Sequence, residues 1–163
     1  MLREGRGSEM ASAEFGEEVL HLVTFRLGDE EYGVDIRKVR EINRMMEITP
    51  VPNAPGHVEG VVNLRGKIIA VLNPRVMFGM PGRGTDGRSR IVVVDTAPPA
   101  GLLVDAVSEV LRIPSGAVEP PPPMALGGGS GFVTGVGRQN GRLFILLDVD
   151  RLIGEFGGSA AEA

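Results

Sequence analysis

Apolar and polar residues alternate along most of the chain with the two-residue period of half-buried strands. Residues 21–27 read His-Leu-Val-Thr-Phe-Arg-Leu, with Leu22, Phe25 and Leu27 suited to a core. The turn Gly28-Asp29-Glu30 and a second strand over 31–36 follow. Asp35 is placed to cap one helical turn before Val39 and Ile42 resume an extended path. Residues 49–56, with Pro50, Pro52 and Pro55, form a loop, because each Pro removes a ladder donor. A hairpin is expected next: a strand over 58–64, a turn at Arg65-Gly66 and a strand over 67–72. Asn73-Pro74 then opens a short helix whose apolar face is Val76, Met77 and Phe78. Residues 80–89 are a Gly-rich connector, and 91–94 and 101–113 read as strands. The stretch 119–131, with four consecutive prolines and Gly127-Gly128-Gly129, is too irregular for a core element. Residues 132–147 form another hairpin, turning at Asn140-Gly141, and Asp148 caps a last helix carrying Leu152, Ile153 and Phe156.

This order of elements occurs twice. Residues 33–42 recur sixty-eight positions later as 101–110, with Gly33, Val39 and Glu41 matched by Gly101, Val107 and Glu109. Residues 60–67 recur seventy-five positions later as 135–142, the offset having grown through the long loop at 119–131. Two copies make a pair of related subdomains and are too few for a solenoid. Each half reads as about five short strands and a terminal helical turn, and five strands close most economically into a small barrel. The fold class is therefore all-β: two five-stranded barrels related by internal repeat, with a short C-terminal helix. A polar tail is expected over 1–18, a folded unit over 19–157 (first barrel mainly 20–80, second mainly 89–156) and a tail over 158–163. The pattern leaves open whether strands exchange between the halves.

Composition removes several function classes. The absence of cysteine excludes a disulfide framework and a thiolate metal site. A net charge of −4 argues against nucleic-acid binding. No apolar run approaches the roughly 20 residues of a membrane span, and the first residues lack the apolar stretch of a signal peptide. The expected location is the cytoplasm. His21 and His57 lack metal-ligand spacing, and the glycines at 135, 137 and 141 precede a strand where phosphate binding needs a helix. No cofactor is implied.

The informative difference between the copies is Arg65, which becomes Asn140 although its expected partner Glu41 is kept as Glu109. A planar guanidinium at a hairpin tip is well suited to a protein interface, since it bonds a carboxylate at two points and is weakly hydrated. Its bland alternative is a solvated turn residue. Val39, Ile42, Val104 and Val107 fit a core, or, for the repeat-related Val39 and Val107, an apolar groove that accepts a helix. Asp95-Thr96-Ala97, following the apolar run 91–94, suggests one half of a homodimeric aspartic protease. Leu27 stands at the repeat-equivalent position, so a single chain lacks the second carboxylate.

The series Tyr32-Gly33-Val34-Asp35-Ile36, Val39-Arg40-Glu41-Ile42, Thr49-Pro50-Val51-Pro52 and Gly60-Val61-Val62-Asn63-Leu64-Arg65-Gly66 resembles the CheW family of bacterial chemotaxis coupling proteins. Residues 101–110 resemble it too, and the match runs from about 20 to 153. Asn73-Pro74 stands where the family usually has Asp-Leu, a change that preserves the helix cap. The resemblance implies two SH3-like barrels and a non-enzymatic adaptor that joins methyl-accepting chemoreceptors, at their cytoplasmic tips, to the regulatory domain of the histidine kinase CheA. It implies kinase- or receptor-binding roles for Arg65, Glu41, Val39, Ile42, Asn63, Gly60 and Val107. An unrelated SH3-like peptide-binding module is the remaining alternative.

Overall fold

The computed structural model describes residues 18–121 and 131–162, without the side chains of 157–162. The strands are β1 (Val19–Leu27), β2 (Glu30–Asp35), β3 (Val39–Arg44), β4 (Val58–Leu64), β5 (Lys67–Leu72), β6 (Arg90–Val94), β7 (Ala100–Val104), β8 (Ala106–Pro114), β9 (Val118–Glu119), β10 (Val133–Gln139) and β11 (Arg142–Leu147). Helix α1 (Pro74–Met77) follows β5 and helix α2 (Val149–Glu162) follows β11. Most of the tail expected at 1–18, and residues 122–130 of the Pro- and Gly-rich loop, lie outside the described residues. The tail expected at 158–163 instead continues α2 as far as Glu162, since Ala160 and Ala161 are strong helix formers.

Two sheets form, in the orders β3-β6-β7-β5-β4 and β8-β1-β2-β11-β10-β9. Each half of the chain gives its opening hairpin to the other half's sheet. The β6–β7 hairpin inserts between β3 and β5, and β1–β2 inserts between β8 and β11. The insertions create the parallel pairs β5–β7 and β11–β2. A boundary between 20–80 and 89–156 therefore follows the repeat but not the sheets. The physical reason lies in the central strands. In β6, Ile91 and Val93 fill the interior of the five-stranded sheet, while Val92 and Val94 join a core shared by both sheets. A strand buried on both faces needs a continuous apolar run, and β6 and β7 supply one.

The shared core draws Phe25, Leu27, Tyr32 and Val34 from the first half and Leu102, Val104, Phe132 and Leu147 from the second. The other sheet encloses Leu22, Ile113, Phe144 and Leu146. Both sheets close in the same way. Thr49 and Val61 exchange two backbone hydrogen bonds of 2.8 and 2.9 Å, at the repeat position of the β9–β10 pairing of Glu119 with Val136. That pairing is regular enough to make the second sheet six-stranded rather than five-stranded.

Other local expectations resolve as follows. Asp35 Oδ1 accepts from Arg37 N at 2.9 Å and caps one 3₁₀ turn. Asn73 caps α1 through Arg75 N at 3.0 Å, and Asp148 caps α2 through Arg151 N at 3.1 Å. Val76, expected to face the core, is exposed. The strand expected over 101–113 breaks at Asp105, because that carboxylate turns inward to bind the other half of the chain. It accepts from Gly28 N at 2.7 Å, Arg75 Nη2 at 2.6 Å and Arg83 Nη1 at 3.2 Å. Burial opposes ionisation of Asp105, but these donors outweigh it and hold the carboxyl below the ordinary range.

Candidate protein-docking site

Arg65 and Gly66 are the corner residues of the β4–β5 hairpin, at φ 52° and 87°, the signs a type I′ turn requires. Asn63 Oδ1 accepts from Gly66 N at 2.8 Å and stiffens the tip. Asn140 and Gly141 hold the same corner in the second barrel, at φ 54° and 77°. A short amide side chain eases the left-handed conformation, whereas a long aliphatic stem gives no such relief. Arg65 is thus the less suitable residue for the corner it occupies.

Its guanidinium reaches across to β3. Nη1 donates to Glu41 Oε1 at 3.2 Å and Nη2 donates to Glu41 Oε2. The two bonds hold the Glu41 carboxyl below its ordinary range and push the Arg65 guanidinium up. The Arg65 side chain is nevertheless 70% exposed, against 25% for Glu41. β3 and β4 are the two margins of the five-stranded sheet, so the pair spans the seam where the barrel closes. The result is a cation held in a fixed pose with its outer face open to solvent.

The second barrel does not leave Glu109 without a partner. Arg142, the repeat counterpart of Lys67, contacts Glu109 at 3.0 Å and donates to Glu31 at 2.7 Å. The charge has moved from the corner onto the strand, where it lies over the Phe144 ring at 4.8 Å. The two barrel ends therefore differ in where they present a guanidinium.

The remaining expected residues fall into separate places. Val39 and Val107 are half-buried and pack against the shared core, opposite Val94 and Phe25 respectively. Val104 is fully within that core, whereas Ile42 faces outward at 40% exposure. Gly60 is buried at a bulge of β4 with φ 149°, and a Cβ there would stand 2.2 Å from the Thr49 carbonyl oxygen. Its part is to let the barrel close. An open cleft of about 250 Å³ is lined by Tyr32, Met77, Phe78, Phe132, Val133, Ile145 and Leu147 and by neither Val39 nor Val107. Sequence reasoning missed Ile68, which is 66% exposed and lies directly across from Asn63. The repeat could have signalled it, because its counterpart Leu143 is also exposed.

Comparison with known proteins decides the family. A model of the CheW-like domain matches residues 21–156. The chain belongs to the CheW-like family. The chemotaxis protein CheW of Klebsiella aerogenes is 35% identical over 147 residues, covering 90% of this chain and 87% of that protein. CheW of Helicobacter pylori is 33% identical, covering 93% and 92%. The crystal structure of the scaffolding protein TtCheW from Thermoanaerobacter tengcongensis aligns with a TM-score of 0.74 and 38% identity, covering 80% of this chain and 90% of that one. This CheW-like chain is a scaffold of chemotaxis and not an enzyme. The protease alternative for Asp95 falls with that assignment: the carboxylate is exposed and accepts from Arg40 Nε at 3.1 Å. The family match also removes the unrelated peptide-binding module. Among the described residues no helix is long and apolar enough to cross a membrane.

Proposed function

We propose that this CheW-like scaffold works in the cytoplasm, at chemoreceptor arrays, and couples methyl-accepting chemoreceptors to the histidine kinase CheA. The Arg65 corner, with Glu41, Asn63 and the adjacent apolar Ile42 and Ile68, meets the kinase regulatory domain. The surface beside Val39 and Val107 meets the cytoplasmic tip of the receptor. Gly60 acts on docking only through the closure of the barrel. Coupling is then positional: a scaffold that grips both partners transmits a receptor shift as a change in the balance of kinase states.

One observation carries this reading. The chain keeps an exposed guanidinium, fixed by Glu41, at a corner where its own second copy uses the conformationally easier Asn. Paired pull-downs test it. Arg65→Ala is expected to lose the kinase and keep the receptor, and Val39→Asp to do the reverse. Unchanged capture of kinase by folded Arg65→Ala refutes the assignment of the corner.

A further inference from the structure

Strand register sets an arginine directly opposite a second basic side chain at one position in each barrel. Arg44 on β3 stands directly opposite Arg90 on β6, and Arg112 on β8 stands directly opposite His21 on β1. These are the same site twice, since Arg44 and Arg112 are sixty-eight residues apart, the offset that relates β3 to β8. Opposite Cβ atoms on an antiparallel pair lie only about 4.5–5.5 Å apart, where the like charges of Arg44 and Arg90 are destabilising and His21 offers Arg112 no counter-charge. A chain of net charge −4 has acids enough to relieve both pairs, yet neither the Arg44 nor the Arg112 side chain makes an ion pair or hydrogen bond among the described residues. Arg90 is turned onto the loop before it, donating to the Gly87 and Ser89 carbonyls at 2.9 and 2.8 Å. Asp35, the acid near His21, is engaged by Arg37 at 2.7 Å.

Each exposed arginine also has an exposed apolar neighbour two residues earlier on the same strand face: Ile42 before Arg44, and Val110 before Arg112. An extended partner presents alternate side chains to one face. A segment carrying an acidic side chain and an apolar one two positions apart therefore fits either place. Nucleic acid fits less well, because it needs a continuous basic track and these are two isolated spots on an acidic molecule.

We infer that the Arg44/Arg90 and Arg112/His21 positions are two equivalent docking points for acidic, extended segments of a partner protein, centred on arginines other than Arg65, the first of them bordering the Arg65 corner through the shared Ile42. Binding of fluorescein-labelled oligoglutamate, followed by anisotropy at low salt, tests this with the whole chain. Wild type is expected to bind and to weaken as salt screens the contact. Arg44→Ser and Arg112→Ser should each weaken binding, and the double variant by at least about tenfold. Arg151→Ser, which removes an exposed arginine from helix α2, away from both points, should change affinity by less than about twofold. All variants are checked for an unchanged melting curve. The inference is overturned if wild type does not bind, if Arg151→Ser loses as much as the double variant, or if oligothymidylate binds more tightly than oligoglutamate.

Discussion

Replacing Arg65 by Asn, the residue found at the same corner of the second barrel, separates folding from docking in one substitution. The corner has φ 52°, and the left-handed conformation costs an ordinary L-residue roughly 1–2 kcal/mol, part of which Asn recovers. The Glu41 contact given up is largely solvent-exposed, and such pairs contribute little to stability. In a chain of this size a gain of that order raises the melting temperature by about 1–4 °C. Docking should respond in the opposite direction, because the bidentate cation is gone and the Glu41 carboxylate is left without its partner. If the partner covers this pair on docking, losing the cation should weaken affinity by more than about tenfold. Calorimetry of the variant and titration of the kinase regulatory domain by surface plasmon resonance give the two numbers. A lower melting temperature would show that Arg65 is retained for the fold, and unaltered kinase affinity at a raised melting temperature would show that the corner is not the docking surface.

Other consequences can be measured directly. Gly60→Ala should destabilise by about 3 kcal/mol or more in urea unfolding, since its Cβ would press on the Thr49 carbonyl at 2.2 Å and prise the barrel open. Asp105→Ala should cost about 3–5 kcal/mol, because it leaves the nearly buried Arg75 guanidinium without its counter-charge. Asp105 is held below the ordinary range by its donors, and Glu31 by the Arg142 guanidinium. The stability that these groups supply is present above their unfolded pKa values of about 4 and is lost as pH falls through the lower folded values. Melting temperature should accordingly be flat above about pH 5 and drop below about pH 4, with a shallower drop in Glu31→Gln. A fragment ending at residue 85 should show no cooperative melting by circular dichroism, because β3 and β5 then lack the β6–β7 hairpin that fills the gap between them.

Local chemistry was legible along the chain. The period-two runs, the Asp35, Asn73 and Asp148 caps and the two hairpin corners each depend on residues a few positions apart, so their positions could be read directly. The repeat also singled out Arg65 by comparing the chain with itself. Partnership across the fold was beyond that reading. The pattern gave the same strands to either barrel, and only packing assigned β1–β2 and β6–β7 to the opposite halves, because a strand with two apolar faces has to be covered on both. Glu109 finding Arg142 instead of an Asn, and Asp105 breaking a strand to meet Arg75, likewise follow from contacts spanning 30 residues or more. Sequence alone thus determined most of the elements, the hairpin corners and caps, and the asymmetric arginine. Tertiary structure decided which strands share a sheet and which charges face solvent, since both depend on what lies beside a residue in space.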